Sequence, residues 1–334
     1  MGRGVQRLSF VRDNMIQQLT ADAVLDEAFA WLCERRINYH YNDDVWHLRF
    51  HWARLREELR RVLREGRYQF SPVKRVRGPK DVYWIWAAQD ALVLKCLAIV
   101  LGKFLRPKLS PFCYHLAGRG GGKGAVRAVH AAVGDATFVF RSDVKSYYAS
   151  INHECLMGLL RELIPSSVVL DLVRGYLQHL VDEDGALRQI DLGISLGSPL
   201  SPLMGGVYLK PLDDAMLATG LFYARFMDDW VVLAPTRPPL RAAIKHANQV
   251  LEELKVEKHP DKTYIGRVAH GFEFMGYRFD SESGREGVDI GSQSWHNHFK
   301  RLETLESEGA DEERLAKYQH FWWQWVHSGV ELCP

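Results

Sequence analysis

The stretch Tyr223-Ala-Arg-Phe-Met-Asp-Asp-Trp-Val-Val-Leu233 constrains this chain more than any other. Two apolar runs meet at adjacent carboxylates, the pattern of a β-hairpin with a tight acidic turn. Asp228 and Asp229 are therefore expected at the tip, open to solvent and held rigidly by the strands. Such a pair is part of a site for a hard cation. Mg²⁺ takes oxygen ligands in near-octahedral geometry and keeps several waters, so a few carboxylates from different strands suffice. In-line phosphoryl or nucleotidyl transfer commonly uses two such ions about 3.5–4 Å apart. The missing ligand is expected upstream in Thr137-Phe-Val-Phe-Arg-Ser-Asp-Val144, where Asp143 closes an apolar strand.

An Asp-Asp pair by itself is more often a solvated turn than a metal site, and the surrounding order of motifs decides otherwise. Asp143, then Gly197-Ser-Pro-Leu-Ser-Pro202, Phe226-Met-Asp-Asp229, Lys262 and Phe274-Met-Gly-Tyr277 follow one another. On these five matches, over residues 68 to 280, the chain resembles bacterial, group II intron-like reverse transcriptases. The resemblance implies an α/β (α+β) right-hand polymerase with fingers, palm and a short helical thumb. It implies RNA-directed DNA polymerase activity with two Mg²⁺ ions, Mn²⁺ being a possible substitute.

Composition is compatible and adds little. The 334 residues, 47% hydrophobic, are ample for a core in two domains or one large one. A formal net charge of +2 gives no argument for nucleic-acid binding, which must come from local patches. Cys33, Cys96, Cys113, Cys155 and Cys333 are scattered and odd in number, which fits reduced thiols in a cytoplasmic protein better than disulfides or zinc. The N-terminus has no apolar signal core, position 6 is Gln rather than the Ser or Thr of a myristoylation signal, and no run reaches a membrane span.

Along the chain, residues 1–66 read as an N-terminal helical extension, with helices over 20–36 and 44–66. Residues 67–136 are expected to form fingers, 137–280 the palm with part of the fingers, and 281–334 a helical thumb. Ten basic residues against three glutamates between Arg54 and Lys80 are mostly a solvated helix face, but the cluster from Lys74 to Lys80 is better placed for phosphates. The family's Lys/Arg-Arg-Pro-Leu segment is absent here, Asp81-Val-Tyr-Trp-Ile-Trp86 standing in its place, and Arg77 and Lys80 are the expected triphosphate cations. The loop Gly118-Arg-Gly-Gly-Gly-Lys-Gly124 lacks the hydroxyl residue of a phosphate-binding NTPase loop. It reads as a close backbone contact with a nucleic-acid strand or as a flexible turn.

At the site, the Val144 carbonyl is a natural oxygen ligand beside Asp143. The resemblance implies that Asp143 and Asp228 bind the ions with Asp229 in support, and that Ser146 and Tyr147 offer backbone N–H groups to the triphosphate. It also implies that Lys262 protonates the pyrophosphate leaving group. Tyr148 matches the family's aromatic gate, a ring that leaves no room for a 2′-hydroxyl; its bland reading is a core aromatic. Gly197 fits a tight loop against the nascent base pair. Ser195-Leu196-Gly197 replaces the family's Pro-Gln-Gly, and leucine cannot hydrogen-bond template or nucleotide as glutamine can.

The expected partners are deoxynucleotide substrates, an RNA template in the form of a dedicated non-coding RNA serving antiphage defence, and a DNA product, with no membrane partner. A retroelement or diversity-generating enzyme, an RNA-directed RNA polymerase, and a non-catalytic RNA-binding scaffold or splicing helper are the rivals.

Overall fold

The computed structural model describes residues 14–77, 82–183, 185–281, 287–330 and 332. The chain divides into two compact units, residues 1–109 with 146–208, and residues 110–145 with 209–334.

The strands are β1 (Val73–Arg77), β2 (Val82–Ile85), β3 (Phe138–Ser142), β4 (Leu180–Glu183), β5 (Ala186–Gln189) and β6 (Phe222–Phe226). They continue with β7 (Asp229–Ala234), β8 (Tyr264–Arg267), β9 (Phe272–Phe274), β10 (Tyr277–Phe279) and β11 (Asp289–Ile290).

The first unit is built on the helix Ala88–Leu105, apolar on every side and buried along most of its length. A helix without a polar face must be enclosed, and Asp22–Arg35 and Asp44–Phe50 pack on it. Its N-terminus is tied down by Asp44, whose carboxylate accepts from the Ala88 N–H at 2.7 Å. Buried Arg36 bonds Asp43, Asp44 and, at 2.6 Å, the Trp86 carbonyl. The expected helix 44–66 is two helices, Asp44–Phe50 and Trp52–Arg64, separated at His51 where φ −104° and ψ 15° leave the helical region. The sheet of this unit runs β2-β1-β4-β5, with β1 parallel to β4 and the other pairs antiparallel. β4 and β5 form a hairpin, Glu183 pairing with Ala186.

The second unit holds the antiparallel sheet β6-β7-β3-β8. Val139, Val231, Leu233 and Ala224 enter one core with Ala125, Val126, Val129 and Val133 of the helix Gly121–Val133. Helix Arg237–Glu253 packs on β3 and β7 and on the helix Lys210–Ala218. β7 is buried from Trp230 to Ala234, as its unbroken apolar run requires. A second small sheet, β11-β10-β9, holds the Phe274-Met-Gly-Tyr277 turn. Residues 201–218 form two helices, Ser201–Tyr208 and Lys210–Ala218. Pro211 has no N–H for the carbonyl four residues back, and the helix restarts there. The C-terminal aromatic stretch forms the helices Ser292–Ser307 and Glu312–His327.

The glycine loop gives way to packing. Gly121 begins the helix Gly121–Val133, and a Cβ at Gly122 would stand 3.0 Å from the Met275 methyl. At Gly124 it would stand 3.3 Å from the Arg119 carbonyl and from the Tyr114 ring. These glycines let protein approach protein, and the flexible turn expected from sequence is instead a helix start.

Candidate active site

The hairpin forms as expected, with a shift of one position. β6 and β7 close through the two-residue turn Met227–Asp228, Phe226 pairs with Asp229, and Asp229 is thus the first residue of β7. Met227 sits at φ 58°, a costly backbone region for a residue with a Cβ. On the other side of β7, Ser142 pairs with Trp230, so Asp143 is the next residue along, level with Asp229. Three carboxylates from adjacent strands therefore share one end of one sheet.

Each outer carboxylate has its own cation. Lys262 Nζ donates to Asp143 Oδ2 at 3.0 Å, the lysine half exposed and the aspartate buried. Arg141, two residues before Asp143 and on the same face of β3, donates from Nε and Nη2 to the two Asp229 oxygens at 3.3 and 3.2 Å. Burial, then the charges of Asp143 and Asp229, push the Asp228 carboxyl up to about 6. Burial also raises Asp229, with Arg141 working against it.

The segment bearing Lys258 completes this end. Lys145 N–H donates to the Glu257 carbonyl at 2.9 Å and His259 N–H to the Asp143 carbonyl at 2.7 Å, flanking the Val144–Lys258 bridge. Val144 is thus at a non-hydrogen-bonded position of that antiparallel ladder, and its carbonyl turns toward the β7 side, where the aspartates lie. Lys262 follows on a 3-10 turn, Pro260–Lys262, steadied by Ser142 and Thr263, whose hydroxyls lie 2.7 Å apart.

The donors are all oxygens, and three carboxylates stand against the two cations Lys262 and Arg141, a set suited to a hard divalent cation. Among the described residues no group of three or more His, Cys, Asp and Glu side chains is arranged to hold a metal ion. A magnesium site needs none, since one or two carboxylates with waters suffice.

The other expected residues belong to the first unit. Ser146 is exposed and left-handed, at φ 50° and ψ 44°, and opens the short helix Tyr147–Ser150. Tyr147 is buried, its hydroxyl donating to the Gly205 carbonyl at 2.5 Å. Tyr148 is half-buried, its ring against Gly205, where a Cβ would come within 3.0 Å of Cε1. Gly193 N–H donates to the Ile151 carbonyl and Ile194 N–H to that of Tyr148, fastening this helix to the segment that leads into Gly197. Gly197 is exposed with φ 92°, a conformation natural to glycine. Arg77 ends β1, but its side chain, like all of Lys80, lies outside the described residues. Within that basic cluster Arg75 pairs with Glu183 at the surface.

Sequence reasoning passed over Arg141 and Arg225. Each is a lone charge inside an apolar strand, and a charge bound for the interior needs a partner. That was the available signal.

The chain is similar to several known proteins. The family model described as "Reverse transcriptase (RNA-dependent DNA polymerase)" matches residues 91–279. The Escherichia coli K12 protein YkfC is 24% identical over an alignment 284 residues long that covers 70% of this chain and 74% of that one. The group II intron-encoded protein LtrA of Lactococcus lactis is 22% identical over 211 residues, 60% of this chain but only 35% of that protein. A solved structure described as a partial Cas6-RT-Cas1–Cas2 complex aligns with a TM-score of 0.44 at 20% identity, over 72% of this chain and 41% of that one. No helix among the described residues is long and apolar enough to cross a membrane.

Proposed function

The chain belongs to the reverse transcriptase (RNA-dependent DNA polymerase) family, and on that premise we propose that it extends a primer 3′-hydroxyl with deoxynucleotides on an RNA template. The observation that carries this reading is the grouping of Asp143, Asp228 and Asp229 at one sheet end with Lys262 and Arg141 as counter-charges. Asp143, Asp228 and the Val144 carbonyl are the donors assigned to two divalent ions, Mg²⁺ or in its place Mn²⁺, with Asp229 in support. Bound there, the ions supply a Lewis acid for the attacking hydroxyl and for the leaving pyrophosphate.

The protein's own share is positioning and charge. Arg141 pairs with Asp229 and offsets part of its charge beside Asp228. Lys262, half exposed beside Asp143, is the residue assigned to hand a proton to the departing pyrophosphate. Tyr148, held against Gly205 with part of its ring exposed, excludes a ribose 2′-hydroxyl. The backbone of Ser146 and Tyr147, Gly197, and the cations Arg77 and Lys80 complete the nucleotide contacts. In domain terms we assign 1–66 to an N-terminal extension, 67–136 to fingers, 137–280 to palm and 281–334 to thumb. A dedicated non-coding RNA, copied in the cytoplasm for antiphage defence, is the setting assigned by resemblance.

Primer extension on an RNA template with Mg²⁺, deoxynucleotides against ribonucleotides, tests the reading with Asp228→Ala alongside. Deoxynucleotide incorporation that the substitution abolishes is expected; incorporation retained by Asp228→Ala overturns the site. Sequencing of RNA that copurifies with the protein tests the template.

A further inference from the structure

The turn that carries Asp228 is held from behind by a polar assembly that the nucleotidyl-transfer chemistry does not use. Arg225, on β6, has no solvent exposure, and neither has its partner Asp213 on the helix Lys210–Ala218. The guanidinium meets the carboxylate in a fork, Nε to Oδ1 at 2.7 Å and Nη2 to Oδ2 at 2.6 Å. Tyr223 Oη adds a third bond to Asp213 Oδ1 at 2.8 Å. The remaining guanidinium nitrogen, Nη1, donates to the Met227 carbonyl at 2.6 Å. On the other side of that residue the Met227 N–H donates to His115 Nδ1 at 3.0 Å. The segment bearing His115 is laid along β6 by two backbone bonds, Arg225 N–H to the Phe112 carbonyl and Tyr114 N–H to the Arg225 carbonyl, at 2.9 and 2.8 Å.

Both backbone polar groups of Met227 are therefore gripped by side chains, and Met227 is the residue at φ 58°. A left-handed methionine persists where its surroundings over-determine it. The residue fixed by this grip is the neighbour of Asp228. Burying an Arg–Asp pair is also a poor way to gain stability, since apolar groups of the same volume commonly do as well. The fork leaves one guanidinium nitrogen for the Met227 carbonyl, which an apolar replacement would not reach.

We infer that Arg225, oriented by Asp213 and opposed by His115, is a positioning residue that sets the Met227–Asp228 turn for divalent-cation binding. The inference rests on the polymerase reading for its consequence in catalysis and on the turn geometry for its consequence in metal binding. Arg225 touches neither substrate nor ion; it acts through the Met227 carbonyl. A lysine at this position would keep the charge for Asp213 but could not span the carboxylate and the carbonyl together.

The test uses the full chain in two forms besides the native one. Arg225→Met with Asp213→Leu removes both buried charges and spares the fold. Arg225→Lys keeps the buried pair and loses the fork. Mn²⁺ binding without nucleotide is followed by electron paramagnetic resonance, beside thermal unfolding, primer–template affinity and single-turnover deoxynucleotide incorporation. Both variants are expected to bind Mn²⁺ at least tenfold more weakly and to incorporate ten- to a hundredfold more slowly. Primer–template affinity should stay within about twofold and the unfolding transition should remain cooperative.

Native Mn²⁺ affinity in either folded variant overturns the inference, as does unfolding of both, which would assign the pair to stability alone. If the native protein binds Mn²⁺ but incorporates nothing, the polymerase reading fails, and the metal-binding arm still decides the role of Arg225.

Discussion

Two arginine–carboxylate pairs of similar chemistry stand in the two four-stranded sheets and do different things. Arg75–Glu183 joins β1 to β4 with both side chains about 40% exposed, at 42% and 36%. Arg225–Asp213 has no exposure at all. Water and salt screen the first pair, and its net worth is on the order of 0–1 kcal/mol. The second has lost its water, so removing one partner leaves a buried charge unanswered. Arg141–Asp229 lies between them, 20% and 16% exposed, at the edge of the carboxylate group. Burial decides how firmly each pair can hold something else in place. The exposed pair is open to water, and the buried one is placed to hold the turn beside the carboxylates.

If this comparison is right, effects should fall in the order of burial. Arg225→Ala, without the compensating change at Asp213, should cost about 3–5 kcal/mol in denaturant unfolding. A loss under 1 kcal/mol would mean that water reaches Asp213. Arg141→Met, which frees Asp229 from its fork, should slow incorporation about ten- to a hundredfold, or about 1.4–2.7 kcal/mol, with the unfolding midpoint little changed. An unaltered rate would remove Arg141 from the site.

Asp228 gives the pH test. Its carboxyl ionises in the folded chain near 6 against 3.8 ordinarily, so the folded state favours the neutral form. Without divalent ions its contribution to stability is fully present below about pH 4 and is lost as the pH rises through 6. The loss is on the order of 1–2 kcal/mol, allowing for screening of a partly exposed group. Asp228→Asn should remove this loss, so the variant should gain on the native protein between pH 4 and 7. A constant difference over that range would contradict the crowding of the three carboxylates. The smallest effect is expected of Arg75→Ala, within 1 kcal/mol in unfolding and diminishing further with added salt. A larger change would show that this pair is not merely a surface contact.

Much of this was legible locally. The alternation of apolar and turn residues placed β6, β7 and β3, because strand pattern and hairpin chemistry depend on neighbours in sequence. The same locality marked Asp143, Asp228 and Asp229. It failed at the glycines, where the loop of Gly122 and Gly124 read as a nucleic-acid backbone contact or a flexible turn, and Met275 and Tyr114 of the protein itself approach them. It failed again at the helix breaks: a single apolar period runs through His51, and nothing in that period marks the break.

The sequence by itself determined the strands, the acidic turn and the order of motifs that names the family, since each rests on residues a few positions apart. Tertiary structure alone decided which charge answers which. Lys262 reaches Asp143 across 119 residues and Arg141 reaches Asp229 across 88. Arg225 takes Asp213 from a neighbouring helix. A charge in an apolar strand announces that it needs a partner, but the partner is chosen by strand register and helix packing, which bring distant carboxylates within 3 Å or so and exclude the water that would otherwise have answered them.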